Sequence, residues 1–257
     1  MRKRIGFDPF ITFIEDDNRH DYFGADGIKY TSVSEVLKTY SKKFESAKIS
    51  SIMCKGNTED QAELLGKWDH KRNYASSYGK LVHSPLELHF KTGQVQEGFE
   101  EIIEDVKGIM RPYERVYPEF QFYSREHKVC GTSDLPFVRR TLRIDSVVYD
   151  QLDIGDYKTN AAHGIRYSGT YWKEGLYKHK GYLLGPLSHL EDCEYNKYAM
   201  QLSLYARMAE MEYLVKIGRL FLAYIALNGH VQHIPVPYMK YEADAVLDHF
   251  SNLQKIE

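Results

Sequence analysis

The chain has 257 residues, 43% of them hydrophobic, which is enough for the core of one large domain and excludes a wholly disordered chain. Its formal net charge is −2, so it is no generally basic nucleic-acid coat, and any nucleic-acid surface must be a local patch on an acidic remainder. Cys54, Cys130 and Cys193 lie far apart with no Cys-x-x-Cys pair, which argues against a disulfide framework, a zinc ribbon or an iron–sulfur cluster and suits thiols of a reducing cytosol.

Met1-Arg-Lys-Arg is followed by a short mixed segment broken at Asp8 and Pro9, not by an apolar signal core. The longest apolar run, Leu220 to Leu227, is too short to span a bilayer and reads as a buried strand. A soluble, cytoplasmic protein is expected. No Gly-x-x-x-x-Gly-Lys-Ser/Thr or Gly-x-Gly-x-x-Gly string occurs, so ATP-driven chemistry is not expected.

Residues 1 to 31 alternate apolar runs with the turn signals Asp16-Asp-Asn18 and Ala25-Asp-Gly27, which predicts a hairpin. A helix is expected to start at Ser32 or Ser34, with Glu35 in its first turn, and to run to Tyr40. Thr58-Glu-Asp-Gln61 opens a second helical stretch to about Phe90. Within it, Gly79-x-x-x-His83 places a bare backbone one turn before an imidazole on the same face. Pro85 removes a helical hydrogen bond and is expected to kink or restart the helix.

A helix from Phe99 to Arg115 leads into the alternating stretch Val116-Tyr-Pro-Glu119-Phe-Gln-Phe-Tyr123, read as the first strand of a central sheet. Two further strands, Val129 to Val138 and Val147 to Thr159, form a candidate hairpin. Residues 160 to 192, rich in glycine and tyrosine and carrying Arg166 and Lys173, read as a long irregular insertion loop. Their basic and aromatic interleaving suits nucleic-acid contact, and equally a solvated insertion. Tyr195 to Gly218 is strongly helical and sets Gln201 and Tyr205 at i and i+4. Strands at Leu220 to Leu227 and Val231 to Val236 turn on Asn228-Gly229, and Glu242 to Lys255 closes the chain as a helix.

The chemistry concentrates in the hairpin. Side-chain alternation sends Asp156 and Lys158 to one face and Tyr157 to the other. With Asp134 at matching depth on the neighbouring strand, two carboxylates converge beside one lysine, an arrangement that a hard divalent cation such as Mg²⁺ or Mn²⁺ relieves. Lys158 could then hold and polarise a water for attack on phosphorus.

The ordered set Gly79-x-x-x-His83, Glu119, Gly131-x-x-Asp134, Asp156-x-Lys158 and Gln201-x-x-x-Tyr205 resembles the PD-(D/E)XK nuclease superfamily, and within it the RecB-like exonucleases, including stand-alone members of phages. Leu86 and Glu87 extend the histidine motif, Pro85 departs from it, and Tyr30-Thr-Ser-Val33-Ser-Glu-Val-Leu37 is similar to an N-terminal segment of some relatives. The likeness covers about residues 75 to 235. It implies an α/β fold of the restriction-endonuclease type, a mixed central sheet flanked by helices, in a single domain. An N-terminal hairpin and helix (1–57), the insertion (160–192) and a C-terminal helix (240–257) would be appended to that core.

The likeness further implies hydrolysis of a DNA phosphodiester. His83, Asp134, Asp156 and the backbone carbonyl of Tyr157 would hold Mg²⁺ or Mn²⁺, Lys158 would activate the water, and Glu119 would stand near the site. Gln201 and Tyr205, with Thr159, Arg166 and Lys173, would contact substrate. Single- or double-stranded DNA is the implied partner, with a single-strand-binding or annealing protein as a candidate second one. A structure-selective endonuclease, a nuclease-fold DNA-binding protein without turnover and a non-nucleic-acid hydrolase using the same cation stay open as alternatives. Oligomeric state is not legible.

Overall fold

The computed structural model describes residues 2–16, 19–159, 164–173 and 177–255. The expected N-terminal hairpin is formed by β1 (Ile11–Asp16) and β2 (Arg19–Gly24), and β3 (Lys29–Ser32) adds to β2. Helix α1 (Val33–Thr39) begins as its sequence implies, because the Ser32 hydroxyl accepts the Glu35 N–H. Helix α2 (Ser46–Met53) carries no side-chain cap for a sequence reader to find. It is pinned from outside, by the Gln61 amide donating to Ala47 O and Ser50 Oγ. Gln61 belongs to α3 (Thr58–Thr92), a 35-residue helix that passes through Pro85 without the expected break. Val82, Pro85 and Leu86 are its buried face, so packing of the proline ring offsets the missing hydrogen bond.

After α4 (Glu100–Met110) come β4 (Arg115–Val116), β5 (Phe120–Ser124), β6 (Val129–Ser133), β7 (Leu135–Ile144) and β8 (Val147–Lys158). Asp145 and Ser146, both with positive φ, make the two-residue turn that joins β7 to β8. Two expected strands are divided. Val116–Tyr123 breaks at Glu119, which has φ +55, and Val129–Val138 breaks at Asp134. Both breaks lie at one place, for Val116 pairs with Phe137 and Phe120 with Ser133. A single antiparallel ribbon therefore crosses from one sheet into another, with Glu119 opposite Asp134 at the crossing.

The 160–192 stretch is more regular than expected. Its described part holds a hairpin, β9 (Thr170–Lys173) with β10 (Tyr177–Lys180), and a short 3-10 turn at Gly185–Leu187. The Glu191 carboxylate ties it down, accepting from Ser168 Oγ, the Gly169 N–H and Lys180 Nζ at 2.8–3.0 Å. These donors lower its pKa to about 2, Lys180 contributing most. Residues 160–163 and 174–176 lie outside the described residues.

Helix α5 (Glu194–Glu212) stops before the expected Gly218, because Val215 already pairs with Asp150 in β11 (Val215–Ile225). Strand β12 (Val231–Val236) and α6 (Lys240–Gln254) complete the chain.

The fold is a mixed α/β arrangement, with two five-stranded mixed sheets where one central sheet was expected: β12-β11-β8-β7-β4 and β1-β2-β3-β6-β5. In the first, Leu135, Phe137, Tyr157, Phe221 and Ala223 pack on Val82 and Leu86 of α3 and on Ile103, Val106 and Met110 of α4. The alternate residues Leu152, Ile154, Leu220 and Leu222 join α5 and the second sheet. Buried acids of β8 are neutralised in place. Asp150 takes Arg4 and Arg115, and Asp153 takes Arg139 and Arg219, the latter by Nε at 2.7 Å.

Gly155 marks a close approach within the apolar layer, since a Cβ there would lie 2.4 Å from the buried ring of Phe221. Gly155→Ala is expected to cost about 1–3 kcal/mol, read as a lower urea midpoint with an unchanged slope. An unmoved midpoint would mean that the Phe221 ring yields freely.

Candidate active site

The C-terminal end of β8 meets the ribbon crossing through side chains. Where a β ladder would continue past the Leu135–Gly155 pair, the Asp134 N–H donates to Asp156 Oδ1 at 3.2 Å and the Tyr157 N–H donates to Asp134 Oδ2 at 2.8 Å. Ser133 Oγ adds a bond to the Gly155 carbonyl at 3.0 Å. Tyr157 turns into the apolar layer under α3, while Asp156 and Lys158 share the opposite face and form an ion pair. The face assignment from alternation is thus correct.

Helix α3 delivers His83 to this point. Its Nδ1 lies 3.5 Å from Asp134 Oδ2, and its ring meets Tyr157 edge-on at 5.4 Å. The His83 and Asp134 side chains keep 31% and 13% of their exposure, enough for solvent to reach them. One turn earlier, a Cβ on Gly79 would meet Thr159 Oγ1 at 3.5 Å, an ordinary contact, so the protein's own packing does not require glycine there.

Too many acids meet here for the cations at hand. Burial and then Asp134, Glu87 and Asp156 push the Glu119 carboxyl up to about 8, and the Glu119 N–H donates to the Asp134 carbonyl at 3.2 Å. Burial and Asp134 likewise raise Asp156 to about 6 against the pull of Lys158. Asp134 is held below its ordinary value: burial raises it, but His83, Lys158 and the Tyr157 N–H together outweigh burial. For His83, burial works downward and the two aspartates more than reverse it. Lys158 is also raised, the aspartates overcoming its burial.

Helix α5 closes the remaining side. Gln201 Nε2 donates to Tyr205 OH at 2.9 Å. Tyr205 lies flat against Gly131, where a Cβ would fall 2.6 Å from its ring, so the glycine of Gly131-x-x-Asp134 makes room for the tyrosine of Gln201-x-x-x-Tyr205. Tyr198, which the sequence reading passed over, lies 4.6 Å from Lys158 Nζ, ring centre to nitrogen. Its spacing of i, i+3 and i+7 with Gln201 and Tyr205 was the available signal. Glu87, noted only as part of the histidine motif, acts on Glu119 through its charge.

Of the two insertion residues read as substrate contacts, one has a described partner. Arg166 pairs with Glu194 at the start of α5, and the side chain of Lys173 lies outside the described residues.

Among the described residues no three His, Cys, Asp or Glu side chains already aim donors at one point. The carboxylate oxygens are instead turned to protein donors: Asp134 to Tyr157 N–H, and Asp156 to Lys158 and the Asp134 N–H. The donor set itself, carboxylates with one imidazole and an excess of negative charge, fits a hard or borderline divalent cation.

No family model and no curated protein matches the sequence. Among solved structures the chain is similar to a "Putative exonuclease" from Eubacterium rectale, with 12% identity over 88% of this chain and 79% of that chain and a TM-score of 0.32. A likeness of that degree decides nothing about chemistry.

The charge excess gives a sign to the pH dependence of stability. For Glu119 and Asp156 the folded pKa lies above the unfolded value, so the native state binds the extra protons and stability falls as pH rises from about 4 to about 8. His83, also raised, adds a loss in the same direction above its unfolded value. In chelator-treated protein, thermal midpoints are expected to decline from pH 5 to pH 8, and Glu119→Gln is expected to flatten the decline. A midpoint that rises over this range would show that the acids are not crowded in solution.

Proposed function

We propose that the protein is a divalent-metal-dependent nuclease of the RecB-like PD-(D/E)XK type that hydrolyses DNA phosphodiester bonds. The observation that supports this is one juxtaposition: the His83 imidazole on the Asp134 carboxylate, itself bonded across to β8, where Asp156 holds Lys158. A spare surface ion pair does not need a histidine from a helix some fifty residues upstream.

His83, Asp134, Asp156 and the backbone carbonyl of Tyr157 are the groups that would hold Mg²⁺ or Mn²⁺. When bound, such an ion stabilises charge on the phosphate and lowers the pKa of water. Lys158, wedged between Asp156 and the Tyr198 ring, has its ammonium fixed in direction. It orients the attacking water and meets the negative charge that grows on the phosphoryl oxygens as the P–O bond breaks. Glu119 stands opposite Asp134, its N–H bonded to the Asp134 carbonyl at 3.2 Å, and adds negative charge to the site. Gln201 and Tyr205 brace the wall behind the aspartates, and together with Thr159, Arg166 and Lys173 they are the proposed substrate contacts. Exonuclease action on free DNA ends is favoured over endonuclease action by the sequence resemblance.

End-labelled single- and double-stranded DNA incubated with Mn²⁺ tests the reading. Wild type is expected to cut, and Lys158→Ala to lose about 10²–10⁴-fold in rate while still binding DNA. Equal cutting by the two proteins would remove Lys158 from the chemistry. Because imidazole is a softer ligand than carboxylate, Mn²⁺ should serve at least as well as Mg²⁺, and a strict preference for Mg²⁺ would speak against His83 as a ligand. Covalently closed circles should survive under conditions that consume linear DNA; nicked circles would exclude an obligate exonuclease.

A further inference from the structure

A groove of about 270 Å³ opens between α1 and α5 next to the carboxylates. Leu37, Tyr198 and Gln201, all half-buried, line it together with Ser34, Lys38 and Lys197. Larger hollows are poorly suited to a polyanion: one of about 590 Å³ is lined by Glu100, Glu101 and Asp105, and one of about 400 Å³ by Asp8 and Glu119. A small cationic hollow of about 170 Å³ surrounds Glu210 beside Val215. It lies at the opposite end of β8 from Lys158, since Val215 pairs with Asp150.

The 400 Å³ hollow touches the site at an acid, Glu119, whereas the α1–α5 groove reaches it on the side of Lys158. Tyr198 is shared, one side of its ring lying near Lys158 Nζ while the residue also lines the groove. Gln201 spends its amide N–H on Tyr205, and its amide oxygen has no partner among the described residues. Half-buried apolar walls, an aromatic ring, one open acceptor and the Lys38 ammonium, beside Lys197 that pairs with Asp192 at 2.5 Å, match a flat heteroaromatic ring attached to a phosphate backbone. They do not match the sugar–phosphate outside of a duplex, which offers no apolar face.

We propose that this groove receives one unstacked nucleobase of the strand whose phosphate lies at Asp156 and Lys158, which makes single-stranded or fraying ends the substrate class. The inference rests on the nuclease reading above and extends it. A base inside a duplex is stacked on both faces and has to leave the stack to enter. With walls that bind by stacking, base identity matters little, and discrimination is confined to what the Gln201 oxygen accepts from a base amine.

Two perturbations test the groove, one in the substrate and one in the protein. On a single-stranded oligonucleotide with Mn²⁺, replacing the base beside the cleaved phosphate by an abasic analogue is expected to lower wild-type kcat/KM about ten-fold, the weight of one stacking contact. Leu37→Trp, which fills the groove, should show the same loss on the normal strand, mainly in KM, and no further loss on the abasic one. Its hydrolysis of a wholly abasic oligonucleotide, a chain of diesters with no ring to stack, should stay at the wild-type rate. An abasic strand cut as fast as a normal one overturns the proposal, as do losses that multiply when the two changes are combined. Should Leu37→Trp fail to fold, the abasic comparison on wild type decides alone. Failure of wild type to hydrolyse either the normal or the abasic strand sinks the nuclease reading, and this proposal with it.

Discussion

The structure depends on one antiparallel ribbon that leaves one sheet and enters another at Glu119 and Asp134. Like charges facing each other across two strands are unfavourable. Here they sit at the crossing itself, where the ladder gives way to bonds between side chains and main chain. The Glu119 N–H donates to the Asp134 carbonyl, the Asp134 N–H to the Asp156 carboxylate, and the Tyr157 N–H to the Asp134 carboxylate. These bonds fix the depth of three acids relative to one another. They also set where α3 must lie for His83 to reach Asp134, and where α5 must lie for Tyr205 to cover Gly131.

Strand β8 shows two ways of burying an acid. Asp150 and Asp153 each meet two arginines, and both are fully enclosed by the pairs they make. Such acids are structural: their charge is balanced and their oxygens are spoken for. Three residues further on, Asp156 has a single lysine and shares it with Asp134, while Glu119 keeps its proton to about 8. An imbalance kept in a partly open pocket costs stability, and it is the kind of cost that functional sites carry.

Much of this was legible in the sequence. Period-two runs with their turn residues located the β7–β8 hairpin, and Ser32 with Glu35 located the start of α1. The motif residues His83, Asp134, Asp156 and Lys158 do meet, and Gln201 does bond Tyr205. What was not legible depends on tertiary contacts. A ribbon that changes sheets in mid-strand keeps its β pattern, so Glu119 and Asp134 read as strand interiors. Helix α2 is fixed by Gln61 rather than by a cap of its own, and the order in the insertion comes from Glu191 at its far end, more than ten residues from the groups it holds. Pro85 does not restart the helix: its ring is buried, which local propensity does not count, and α3 runs on through it.

Crowded acids and a directed lysine become a hydrolytic site only if a cation enters among them, displacing protons and reorienting the Asp156 carboxylate. Anomalous diffraction from crystals soaked in Mn²⁺ reads that event directly. A peak within about 2–2.5 Å of donor atoms of His83, Asp134 and Asp156 is expected. A peak confined to the acidic hollow at Glu100, Glu101 and Asp105, or no peak at millimolar Mn²⁺, would contradict it.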